Sequence, residues 1–376
     1  MKCKHFGECG SCTIYSTDYQ TQVKNKKELV LDLISPYYNK ELICFESSET
    51  NYRARAEFRI WHTGDRCDYA MGNLSKNGAV IIEMCPKVIK PIEDRMWKLL
   101  DEVNNNPILL GHKLFGIEFL ATTTNECLVT MLYHRKLDEE WIKIAKELET
   151  KLNINLLGRS RKQKLIISNE FVLETLFIDG QDVYYKEYES GFTQPNPEVN
   201  IKMIEWVISN IKNISSPKND FLESYCGLGN FTIPISKYFN KVLATEVSKK
   251  SIKSAKENCE LNKIHNISFI RLSSEEMTQA LNKEREFTRL KDINLDDFNF
   301  STVLVDPPRA GLDNATIDLI SNINYIIYIS CNPETLARDL EDISKTHNIV
   351  NTVIFDQFPH TKHIESGVFL KKIDKI

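Results

Sequence analysis

The sequence contains no apolar run approaching the ~18–20 residues that cross a bilayer. Its opening, MKCKHFGECGSC, also lacks the apolar stretch of a secretory signal. A soluble, cytosolic chain without a membrane partner is therefore expected. There is no excess of positive charge either: 48 Lys and Arg stand against 52 Asp and Glu, a net charge of −4. This excludes a polycation drawn indiscriminately to nucleic acid, so any contact with RNA must come from a local patch. No internal repeat is found. With 42% hydrophobic and 27% charged residues, wholesale disorder and fibrous architectures are excluded, and 376 residues suffice for two or three domains.

Local basic patches are present. Arg53, Arg55 and Arg59 interleave with Tyr52 and Phe58, and Arg159-Ser160-Arg161-Lys162-Gln163-Lys164 has four cations and no acid. Either could grip phosphates or form a solvated strand edge or turn.

Ten cysteines in a reducing compartment do not read as disulfides. Cys3, Cys9 and Cys12 lie close together as C-x5-C-x2-C, with Gly7 and Gly10 allowing a tight backbone. Structural zinc sites more often use two short Cys pairs, and only one is present here. Three clustered thiolates with a distant fourth favour a [4Fe–4S] cluster over zinc. Cys85, in Glu83-Met84-Cys85-Pro86, is the expected fourth ligand, with Cys44 and Cys67 as competitors.

Hydrophobic spacing predicts a helix over 17–34, stopped by Ser35-Pro36. From 51 to 179, alternating apolar and polar residues predict antiparallel strands, with one helix near 138–151. Beyond about residue 190, short apolar runs at 220–225, 241–245, 267–271, 302–306, 325–330 and 350–356 alternate with helical stretches, the order of a doubly wound sheet. The charged stretch 282–299 reads as a surface insertion. Three segments follow: a cysteine-rich segment and helix over 1–50, a β-rich domain over 51–180, and an α/β catalytic domain over 181–376.

The run 220–225 leads into Tyr225-Cys226-Gly227-Leu228-Gly229-Asn230, a Gly-x-Gly turn opening a helix. A dinucleotide fingerprint would want a third Gly where Thr232 stands. Glu246, 19 residues after Gly227, ends the next strand, where a carboxylate can accept hydrogen bonds from both ribose hydroxyls. This pattern suits S-adenosylmethionine better than NAD, with Tyr225 and Asn230 flanking its methionine and ribose parts.

Two later strands end in Asp306-Pro307-Pro308-Arg309 and Ser330-Cys331-Asn332-Pro333, both at the carboxyl edge of the sheet, where the cofactor's methyl should point. Cys331 is the decisive residue. Uracil C5 is a poor nucleophile, and a thiolate added at C6 turns it into an enolate carbon that can attack a methyl group. A helix opening at Pro333 is expected to supply the electropositive setting such a thiolate needs. After methylation the remaining C5 proton must leave. Glu365, in His363-Ile364-Glu365-Ser366-Gly367, is the candidate base, with His363 second.

With Phe192-Thr193-Gln194-Pro195-Asn196, these motifs resemble those of the bacterial RNA uracil-C5 methyltransferases, and the likeness runs over nearly the whole chain from about residue 51. Segments such as 51–62, 112–115 and 132–138 resemble the branch that acts on tRNA. The resemblance implies a Rossmann-like S-adenosylmethionine-dependent methyltransferase domain plus a smaller β-rich RNA-binding domain. It implies Gln194, Tyr225, Asn230, Glu246 and Asp306 as cofactor residues, Cys331 as nucleophile and Glu365 as base. It further implies a monomer that flips a T-loop uridine of tRNA into a cleft between the domains, with Phe115 and the 53–59 segment holding the loop; tmRNA presents the same loop. The leading cysteine group departs from the tRNA branch and resembles the iron–sulfur module of the ribosomal RNA branch, although no β-barrel domain is expected ahead of Cys3. A 23S rRNA uracil methyltransferase and an RNA-binding folding chaperone are the alternatives.

Overall fold

The computed structural model describes residues 1–214 and 219–374. An eight-stranded sheet forms the larger half, in the order Ile43–Phe45, His347–Phe355, Glu365–Lys372, Tyr325–Ser330, Phe300–Val305, Asp220–Ser224, Lys241–Thr245, Ile267–Ile270. Glu365–Lys372 runs antiparallel to both its neighbours, and the other pairings are parallel. Asp220–Ser224 and Tyr325–Ser330 are buried along their whole length, as strands covered on both faces must be. Successive side chains of Phe300–Val305 alternate between two apolar layers: Val303 and Val305 join Leu336 and Leu340, and Leu304 joins Val207 and Phe355.

Helix Tyr19–Ile34 begins where the Asp18 carboxylate accepts from Thr21 N at 2.9 Å. It buries Val30 and Ile34 in the first of these layers, and Ile43–Phe45 pairs along the sheet edge. Residues 19–45 thus build part of the α/β half, whereas Cys9 pairs with Asn73 and packs in the core of the smaller one.

The smaller half is a seven-stranded sheet in the order Ala79–Ile81, Arg66–Gly72, Arg55–Thr63, Leu114–Ala121, Cys127–Tyr133, Asn155–Ser160, Gln163–Ile166. It is antiparallel except where Cys127–Tyr133 meets Asn155–Ser160 across helix Glu139–Leu152. Helix Lys90–Asn105, absent from the expected pattern, packs Ile92, Met96, Leu99 and Val103 into the same core as Trp141. The opposite face of the sheet leaves Arg59, Trp61 and Phe115 exposed. A hairpin, Phe171–Ile178 with Gln181–Tyr188, ties the halves together: Val172 packs on Leu120, Leu128 and Leu157, while Ile178 and Tyr185 enter the α/β core. Among the described residues no helix is long and apolar enough to cross a membrane.

Candidate active site

At the end of Asp220–Ser224 the chain reverses with Tyr225, Gly227 and Gly229 at φ 66°, 55° and 88°. A Cβ on Gly229 would lie 3.0 Å from Ile233, whereas nothing lies within 4 Å of the corresponding position on Gly227. That leaves open space against the backbone. The Glu246 carboxylate closes the turn, accepting from Gly227 N at 3.2 Å and Ser248 N at 2.7 Å, and keeps lone pairs for further donors. Of the other expected cofactor residues, the Tyr225 hydroxyl lies 2.6 Å from Ser274 Oγ, the Asn230 and Asn200 amides bond reciprocally, and Gln194 Oε1 accepts from Gln357 Nε2 at 2.7 Å. Asp306 follows the neighbouring strand, and desolvation pushes its carboxyl up to about 7. Glu223, buried beneath, is pushed to about 8 by the same cause. Asn200, Ser274 and Gln357, which hold the cradle's side chains, carried no motif of their own.

Sheet register brings the expected nucleophile and base together. Ser330 faces Ser366 across the antiparallel pair, so the next step outward sets Cys331 beside Glu365. Ser366 Oγ donates to Ser330 O at 3.2 Å and locks this register. Gly367 permits the close packing: a Cβ there would lie 3.0 Å from Val353 and 3.1 Å from Ile329. Cys331 and Glu365 open onto a cavity of about 500 Å³ whose walls include Arg53, Gln194, Arg309 and the 73%-exposed Phe192. That volume admits a pyrimidine nucleotide.

Desolvation raises the Cys331 thiol above its ordinary value, Glu365 and Asp306 raise it further, and Arg309 acts in the opposite sense. The expected benefit of a helix N-terminus is offset: helix Pro333–Ile343 already has Asn332 accepting from Glu334 N at 3.2 Å and carries Glu334 in its first turn. Glu365 is pushed to about 8 by desolvation and then by Asp306. His363 is lowered by desolvation and by Arg309, whose Nη2 lies 3.0 Å from its Nδ1. Arg309 can only donate in that contact, so the His363 ring accepts through Nδ1.

The four singled-out thiols Cys3, Cys9, Cys12 and Cys85 line one cavity of about 200 Å³. Cys44 sits in the edge strand of the other sheet and Cys67 is buried in the smaller one, so neither competes. Even so, among the described residues no group of three or more His, Cys, Asp or Glu is placed to hold a metal ion, and the expected [4Fe–4S] site finds no support there.

Of the basic patches, Arg159 and Lys164 are tied to Glu189, leaving Arg161 and Lys162 in no ion pair among the described residues. Phe115 stacks on His134 at 4.3 Å and lines a surface cavity with Arg159 and Arg161. Arg55 donates to the carbonyls of Glu189 and Gly191, spending its charge on the junction between the halves.

A family model described as tRNA (Uracil-5-)-methyltransferase matches residues 18–373, beginning after the cysteine segment. The tRNA/tmRNA (uracil-C(5))-methyltransferase of Sulfurovum sp. (strain NBC37-1) is 64% identical over 372 residues, covering 99% of this chain and 100% of that one. Its counterpart from Aliarcobacter butzleri (strain RM4018) is 51% identical over 378 residues with the same coverage. Both matches reach into the cysteine segment. Among solved structures, Pyrococcus abyssi tRNA (uracil-54, C5)-methyltransferase in complex with S-adenosyl-L-homocysteine shares the fold, with a TM-score of 0.73 over 96% of this chain and 85% of that one at 22% identity. The match along almost the full length, with curated relatives of this similarity, means that the chain belongs to the tRNA (uracil-5-)-methyltransferase family.

Proposed function

We propose that the protein methylates uracil C5 in the T-loop of tRNA, and in the same loop of tmRNA, using S-adenosylmethionine and a covalent link to Cys331. The observation that carries this is the register setting Cys331 beside Glu365 at the mouth of a nucleotide-sized cavity. The Cys331 thiolate adds to C6 of a flipped uridine: the S–C6 bond forms, the C5–C6 π bond breaks, and the electron pair passes to the C4 oxygen as an enolate. When bound, S-adenosylmethionine supplies the methyl group that C5 takes up, its sulfonium leaving as a neutral thioether. Glu365 then removes the C5 proton, the C5–C6 double bond returns and the thiolate departs. Gln194, Tyr225, Asn230, Glu246 and Asp306 would hold the cofactor, and the open backbone at Gly227 together with the free lone pairs of Glu246 support that fit.

In this reading the enzyme works as a cytoplasmic monomer. Residues 51–180 grip RNA through the face bearing Arg59, Trp61 and the Phe115–His134 stack, and residues 181–376 carry the chemistry. Mass spectrometry of RNA from a deletion strain tests the substrate. Loss of 5-methyluridine from tRNA is the expected result; intact tRNA with altered ribosomal RNA refutes it.

For the cavity of Cys3, Cys9, Cys12 and Cys85 we propose a [4Fe–4S] cluster. The support is that these four cysteines, three of them clustered in sequence and the fourth distant, line one cavity. Brown protein with near-stoichiometric iron after anaerobic purification is expected, and colourless protein holding one zinc overturns this.

A further inference from the structure

Two desolvated acids bear on the Cys331 thiol. Asp306 and Glu365 raise the Cys331 thiol on top of its own desolvation, so the site by itself disfavours the thiolate that must attack C6. A cation is needed to reverse this, and the helix behind Cys331 does not provide one, its first turn being capped by Asn332 and carrying Glu334.

Three arginines line the cavity. Arg55 is spent on the Glu189 and Gly191 carbonyls, and Arg53 donates Nε to Arg55 O at 2.8 Å with its guanidinium 5.9 Å from the Phe358 ring. The Arg309 guanidinium has the His363 ring beside it and no carboxylate partner among the described residues. Its backbone is fixed from the same segment that bears the thiol: Asn332 Nδ2 and Thr335 Oγ1 donate to Arg309 O at 3.2 and 3.3 Å. Farther along this loop, Leu312 N donates to the buried Asp339 carboxylate at 2.8 Å and Arg338 donates to Ala310 O at 2.9 Å. The loop is rigid at its backbone while the charged end of Arg309 faces the cavity.

We propose that Arg309 is a catalytic residue that stabilises the Cys331 thiolate and, once sulfur has bonded to C6, hydrogen-bonds the enolate oxygen at C4. The proposal rests on Cys331 being the nucleophile. The same guanidinium answers negative charge first on sulfur and then on the pyrimidine, so neither step leaves an uncompensated anion in a desolvated site.

The test uses R309Q and R309K in the full-length enzyme, with S-adenosylmethionine affinity as the control for an intact site. Alkylation of the Cys331 peptide by iodoacetamide is followed by mass spectrometry across pH. R309Q should slow alkylation about tenfold near neutral pH and move its midpoint upward, as expected for loss of a nearby opposite charge, and R309K should restore most of the rate. Adduct formation with 5-fluorouridine-substituted tRNA should slow in the same order. An R309Q profile that superimposes on wild type overturns the proposal, as does a slowing accompanied by lost cofactor affinity, which would mean a displaced loop. C331A separates the underlying assumption: if it still forms the fluorouridine adduct, the nucleophile assignment itself fails, whatever Arg309 does.

Discussion

Replacing Glu365 with Gln keeps the shape of the side chain and removes its basicity. With a carboxyl pushed to about 8, roughly one enzyme molecule in eleven holds Glu365 ionised at pH 7. In wild type the proton-removal step should therefore accelerate about tenfold per pH unit below about 8 and level off above it, because the raised value keeps the inactive, protonated form dominant as pH falls. E365Q should lose this limb and slow that step by about 10²–10⁴-fold, or ~3–5 kcal/mol of barrier. Cys331 ionisation rises with pH as well, so the two must be read apart. Single-turnover quench with 5-tritiated uridine in tRNA reports removal of the C5 hydrogen, and a denaturing gel reports the protein–RNA adduct. E365Q should form the adduct and retain it while tritium release stalls. Tritium release at the wild-type rate would remove Glu365 from the role of base, and a variant that neither releases tritium nor forms adduct would place it before methyl transfer.

Other perturbations probe the frame around the site. Lys26 Nζ lies 2.6 Å from Asp356 Oδ1 with both side chains buried, so K26M should cost about 3–5 kcal/mol in denaturant melts and K26M/D356L should recover most of it. An unchanged K26M melt would show that the pair contributes nothing. G367A forces a Cβ to 3.0 Å from Val353; about 1–3 kcal/mol of destabilisation is expected, and because Glu365 is two residues away, kcat should fall more than KM rises. Calorimetry on E246Q should show S-adenosylmethionine binding weakened about ten- to a hundredfold, matching the loss of charge-assisted hydrogen bonds, and undiminished binding would exclude Glu246 as the ribose acceptor.

Much of the α/β half was legible because its strands are short, wholly apolar and punctuated by chemistry. The expected 241–245 and 325–330 coincide with Lys241–Thr245 and Tyr325–Ser330, and the others differ by a few residues at their ends. Helix Lys90–Asn105 escaped because Lys90-Pro91 at its start and the charged faces of its turns masked the spacing of Ile92, Met96, Leu99 and Val103. Its placement is decided by the sheet it covers, a partner that periodicity alone does not supply. In the site, motif residues could be named but their neighbours could not. Cys331 beside Glu365 is a product of antiparallel register, and Gln357, Asn200 and Ser274 meet Gln194, Asn230 and Tyr225 only through the fold. The helix expected at Pro333 is present, but Asn332 and Glu334 already answer its terminus, and desolvation with Glu365 and Asp306 raises the Cys331 thiol instead of lowering it.

The strand Glu365–Lys372 is threaded between Tyr325–Ser330 and His347–Phe355, in the interior of the larger sheet. A chain leaving the ribosome in order exposes both neighbours before the strand that must join them exists, so the central slot stands open until late in synthesis. Since the same insertion delivers Glu365, the residue proposed here as proton acceptor comes to stand beside Cys331 only as that slot closes.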